Sequence, residues 1–136
     1  MIVLSNTIAQ TLAPGQSLTF DTVVLHTGCG ECHRANSGSV NLRANQGIYE
    51  CQFRANIGAE TAGDAAQIAL DLDGSPLLET TMISTTAAAD DLNNVCCQTA
   101  VKTCCCGGND TITVTNTGTT TITVGANPCL YIKRVA

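Results

Sequence analysis

"GIYECQFRANI", residues 47–57, alternates without a break: Tyr49, Cys51, Phe53, Ala55 and Ile57 fall on one side, and Glu50, Gln52, Arg54 and Asn56 on the other. Side chains of an extended chain point to opposite faces with a period of two, so this stretch is a half-buried strand. "QIALDLDG", 67–74, repeats the pattern, with Ile68, Leu70 and Leu72 inward, Asp71 and Asp73 outward, and a two-residue turn at Asp73–Gly74. "NDTITVTNTGTTTITVGANP", 109–128, reads as two strands carrying Ile112 with Val114 and Ile122 with Val124, joined as a hairpin at "TNTG".

Upstream, "QSLTFDTVVLHTG" (16–28) and "SVNLRANQ" (39–46) read as strands, the first introduced by the turn "APGQ"; "CLYIKRVA" (129–136) is the last. "NIGAETAGDAA" (56–66) and "TTAAADDLNN" (85–94) read as loops, because their Ala-rich pieces are too short and too poorly capped for helices. Roughly eight to ten short strands, with turns at this spacing, make an all-β antiparallel sandwich. At 136 residues the chain is read as one domain, 1–136, with 1–12 as an N-terminal strand or an inter-subunit arm.

The core must be aliphatic. There is no Trp, and Phe20, Phe53, Tyr49 and Tyr131 are the only aromatic residues in a chain that is 44% hydrophobic. Only 12% of residues are charged, and a surface rich in Thr, Asn, Ser and Gly suits contact with further copies of the chain. A net charge of −5 with six Lys and Arg speaks against nucleic acid, and no stretch reaches the run of about eighteen apolar residues that a membrane helix needs. "MIVL" is too short for a secretory h-region, so the reading starts the mature chain at Met1, without a cleavable signal peptide.

The order "FDTVVL", "NQGIYECQFRANI", "IALDLDGSPL", "DTITVTNTGTTTITV" and a short apolar last strand resembles the C1q and tumour-necrosis-factor-like jelly roll. It is most similar to the collagen-associated C-terminal domains of bacterial spore surfaces and to short prophage-encoded structural proteins of Firmicutes, although no Gly-X-Y stretch precedes it. The resemblance implies a homotrimer with a structural or adhesive role and no catalysis.

Nine cysteines remain to be explained. "CGECH", 29–33, matches the haem-attachment spacing, in which Cys29 and Cys32 would bind the porphyrin and His33 the iron. A lone copy in an all-β chain with few aromatics argues against haem. A zinc site using Cys29, Cys32 and His33 would need a fourth ligand from "CCC" at 104–106, whose contiguous thiols do not suit one tetrahedral ion. No cofactor or metal is therefore expected, and Asp71, Asp73, Asp90 and Asp91 fit solvated faces and loops better than a calcium site. Cys32 beside His33 is no catalytic pair, because neighbours on a strand point apart.

If "VCCQTAVKTC", 95–104, is a strand, Cys97 faces the core and Cys96 faces out. Cys51 is a small buried hydrophobe, and Cys129 is not assigned a face. Cys96, Cys104, Cys105 and Cys106 are expected on the outer face and rim, with the Cys29–Cys32 loop as their disulfide partner, within one subunit or between two. Nine thiols without an export signal fit a product assembled inside a cell and released by lysis. The expected function is a non-enzymatic structural protein that self-associates on a virion, as capsid or decoration protein, or in a spore-surface layer. The rivals are a receptor- or glycan-binding module of a fibre and a disulfide-stapled filament subunit.

Overall fold

The computed structural model describes residues 1–104 and 110–136. Among these, thirteen strands form in order: β1 (Ile2–Ser5), β2 (Gln10–Leu12), β3 (Thr22–His26), β4 (Glu31–His33), β5 (Val40–Leu42), β6 (Ile48–Ala59), β7 (Ala65–Leu72), β8 (Ser75–Pro76), β9 (Met82–Thr85), β10 (Asn93–Lys102), β11 (Asp110–Asn116), β12 (Ile122–Val124) and β13 (Cys129–Arg134). One turn of 3-10 helix, Leu78–Thr80, interrupts them. The tally exceeds ten because several crossing segments, which look like loops in the sequence, pair for only two or three residues.

Two antiparallel sheets face each other. The front sheet runs β10-β6-β13-β1-β3, with β12 and β2 continuing beyond the end of β13 along β6. The back sheet runs β4-β5-β11-β7, and β8 and β9 both pair the far side of β7. β6 is the axis of the front sheet, and its residues Tyr49, Cys51, Phe53, Ala55 and Ile57 are all buried. They meet Ile68 and Leu70 of β7 and Ile112 and Val114 of β11 across the interior, so the core is one apolar layer between the sheets.

Two connectivity readings are corrected. β11 and β12 do not form a hairpin: β11 pairs β5 and β7 in the back sheet, whereas β12 pairs β2 and β6 in the front one. Asn116 organises the crossing. Its amide donates to the carbonyls of Leu12 (3.0 Å) and Thr120 (2.9 Å), and its side-chain oxygen accepts from the Gly118 amide (3.0 Å). The stretch 16–28 is likewise two pieces. Ser17 bridges Thr115 and the Leu18 amide reaches the Val114 carbonyl in the back sheet, then Thr22–His26 crosses to pair β1 in the front sheet.

Asp71 corrects the outward reading of β7. It lies on the outer face but is 7% exposed, and Asp71 Oδ1 has no hydrogen-bond partner among the described residues. Burial raises its carboxyl above the ordinary range, against a hydrogen bond from Thr115 that lowers it. The expected turn at Asp73–Gly74 forms, with φ values of +52° and +84°, and joins β7 to β8.

Candidate functional site

His33 sits on the inner side of β4, where Nδ1 lies 3.0 Å from the Ser39 carbonyl and Nε2 3.4 Å from that of Phe20. Its ring meets Phe20 edge-on, with centroids 6.3 Å apart. Cys32 is opposite Asn41, on the outer face of the back sheet, and the exposed Cys29 lies beyond the end of β4. Cys32 and His33, adjacent in sequence, thus point to opposite faces. "CGECH" is half strand, correcting its reading as a loop, and its imidazole faces two backbone carbonyls. Among the described residues no group of three or more His, Cys, Asp or Glu side chains could hold a metal ion.

The cross-link candidates separate into two places. Cys96 is exposed on the outer face of the front sheet, opposite Arg54, which is in turn opposite Cys129 of β13. This Cys96–Arg54–Cys129 row spans two strand spacings, about 10 Å, beyond the disulfide range of about 4.4–6.8 Å between Cα atoms. Cys32, on the opposite sheet, is not brought to Cys96 within one chain. Cys104 instead reaches the same end of the sandwich as Cys29: its amide donates to Asp110 Oδ2 (2.6 Å), and Asp110, Leu42 and Glu31 are aligned across β11, β5 and β4. Cys105 and Cys106 lie outside the described residues. Cys29, Cys32, Cys51, Cys96, Cys97 and Cys129 carry free thiols.

Position governs the chemistry of these thiols. Cys51 is buried opposite Thr99, and burial, with smaller contributions from Cys97 and Glu50, pushes its thiol up to about 12. Cys97, half-buried opposite Phe53, is pushed by burial to about 11. Neither is a nucleophile near neutral pH, since the reactive species is the thiolate.

The end of the sandwich that holds Cys29 also holds a cleft of about 650 Å³. Tyr49, wholly buried, pins its back-sheet wall: the hydroxyl donates to the Gly30 carbonyl (2.8 Å) and accepts from the Ala44 amide (3.2 Å). The Arg43 amide reaches the same Gly30 carbonyl at 2.9 Å, and Thr103 Oγ1 accepts from the Gly47 amide at 2.8 Å. Glu31, 2% exposed, is turned inward to accept from the Met1 α-amino group (2.9 Å) and the Arg134 amide (3.2 Å). The walls then present Arg43, Lys133 and Arg134. Sequence reading missed this cleft, because a Lys-Arg pair ending one strand and an Arg ending another meet only after both sheets have formed. A second cleft, about 540 Å³, lies on the front sheet's outer face between Cys96, Cys129 and Tyr131.

No protein-family model matches the chain, and no curated protein matches it. Solved structures do. Murine APRIL at pH 8.5 is similar over 97% of this chain and 98% of its own, with 14% identity and a TM-score of 0.61; at pH 5.0 the corresponding identity is 16% and the TM-score 0.60. The PRD1 vertex protein P5 is similar over 99% of this chain and 97% of its own, with 12% identity and a TM-score of 0.51. Likeness at such low identity speaks to architecture, and the architecture is an antiparallel jelly roll of the tumour-necrosis-factor-like kind.

Proposed function

We infer that this chain is a non-enzymatic structural protein, a single domain over 1–136, that self-associates as a homotrimer or larger assembly on an extracellular particle. The observation that carries the reading is the state of the front sheet's edges. In β3, Val23, Val24 and Leu25 are 46%, 61% and 41% exposed, so both faces of this edge strand are bare and apolar. At the opposite edge β10 pairs only β6 along ten residues, and Lys102 is its only charged residue. Native sheets guard such edges with charges, proline or brevity, because an open strand recruits another chain.

A virion is preferred over a spore layer, a preference supported by the fold shared with the PRD1 vertex protein. The exposure of Cys96 and Cys29 supports disulfides between subunits as staples of such an assembly. The test is light scattering of the purified chain at micromolar concentration, with and without reductant. A stable 14.0 kDa monomer in both conditions overturns the reading. Imaging of the native particle then separates virion, spore layer and filament.

A further inference from the structure

We propose that the cleft between Arg43, Lys133 and Arg134 is a binding site for an oxyanion: a carboxylate, sulfate or phosphate group, free or borne on a saccharide. Three of the chain's six Lys and Arg residues line it, Arg43 just past β5 and Lys133 with Arg134 at the end of β13, Lys133 at the rim on the outer face, in a protein whose net charge is −5. Bulk composition therefore does not account for the concentration of positive charge. Like charges drawn into one concavity repel each other, and an anion relieves that repulsion while the cleft walls focus the field.

Side-chain carboxylates do not neutralise these cations. The only ion pair among the described residues joins Met1 and Glu31 and involves none of the three. Glu31 is the one carboxylate side chain lining the cleft, and both its oxygens face inward to the Met1 amine and the Arg134 amide. Glu50 stands opposite Lys133 in the β6–β13 register, but Glu50 Oε1 is held by the amides of Gln52 (2.8 Å) and Gln98 (3.0 Å). Arg134 is steadied by one bond, Nε to the terminal oxygen of Ala136 at 2.9 Å, which leaves its terminal amino groups for a ligand. Arg43 and Lys133 are exposed, and no hydrogen bond engages either side chain among the described residues. The Tyr49 hydroxyl fixes the backbone at Gly30 and Ala44, so binding an anion has only the cationic side chains to order.

The test is calorimetric titration of the full chain, at constant ionic strength, with inorganic phosphate, sulfate, glucuronate and glucose. Saturable binding of at least one anion is expected, weakened by about tenfold for each cation removed in Arg43→Gln, Lys133→Gln and the double variant, as for lost charge-assisted hydrogen bonds. Both positions are exposed, so these variants keep the fold, and circular dichroism verifies it. Glucuronate binding tighter than phosphate and sulfate assigns the oxyanion to an acidic sugar; the reverse order assigns it to a free ion. Three results overturn the proposal: no saturable heat with any anion, glucose binding as tightly as glucuronate, or a double variant that binds like the parent. Light scattering on the same samples reports self-association separately, so failure of one idea leaves the other standing.

Discussion

The two sheets of this sandwich treat their edges differently. The back sheet ends in β4, three residues long, and on its other side in β8, two residues including Pro76, and the four-residue β9. The front sheet ends in β3, with the consecutive exposed residues Val23, Val24 and Leu25, and in the ten-residue β10. A short strand or a proline offers few unpaired amides to a second chain, whereas β10 offers a long row of them. One side of the molecule is thus finished as a surface, and the other retains the features of an interface.

The largest effect should come from closing the open edges. Val24→Lys in β3 and Ala100→Lys in β10 should each weaken self-association by more than about tenfold, through a charge placed where a neighbour would pair. Thr85→Lys in β9 should leave it unchanged. Equal responses to all three, read by light scattering, would erase the distinction between the sheets.

Thiol reactivity sharpens the contrast between the faces of the front sheet. At pH 8, iodoacetamide should modify exposed Cys96 and Cys29 about a hundredfold faster than buried Cys51 and half-buried Cys97, whose thiols lie at about 12 and about 11. Mass spectrometry of the timed reaction gives the order directly. Comparable rates would mean that the inner face of β10 is open to water.

Glycines probe how tightly each sheet is covered. A Cβ on Gly58 of β6 would stand 2.1 Å from the Asp91 carbonyl oxygen, where the 86–92 connection crosses the front sheet. Gly58→Ala should therefore destabilise by about 1–3 kcal/mol through overpacking. A Cβ on Gly74, in the back-sheet turn, meets nothing, so Gly74→Ala should cost only the left-handed backbone penalty, about 1 kcal/mol. Urea unfolding checks both.

An equally small effect belongs to Asp71. Its folded pKa is raised, so its contribution to stability is full below the unfolded value of 3.8 and is lost as pH rises through the folded value. Asp71→Asn removes the buried charge and should consequently be the more stable protein at pH 7, by about 1 kcal/mol, the low end of the desolvation cost of a buried polar group. The advantage should shrink as pH falls towards 4. A constant difference across that range would assign it to packing instead of the carboxylate.

Much of the fold was legible because alternation is a property of a single strand. The burial of Tyr49, Cys51, Phe53, Ala55 and Ile57, the outward Cys96 beside a half-buried Cys97, and the Asp73–Gly74 turn all follow from backbone geometry over a few residues. Little of the candidate site was. Cys29 and His33 look like partners in "CGECH", yet the strand aims His33 at the Ser39 and Phe20 carbonyls and leaves Cys29 at the mouth of a cleft.

The sequence by itself determined which residues face inward, and hence that the chain forms an antiparallel sandwich with an aliphatic core. Only the tertiary structure decided which sheet each strand joins. Residues 112–114 and 122–124 carry the same apolar pattern and point into the same core, but from opposite sides, because the Asn116 side chain ties the crossing to Leu12 and Thr120. The cationic cleft was decided in the same way. Arg43 and Arg134 are ninety-one positions apart in the chain, and only closure of the two sheets, with Tyr49 of the front sheet bonded to Gly30 and Ala44 beside the back sheet, sets them around one cavity.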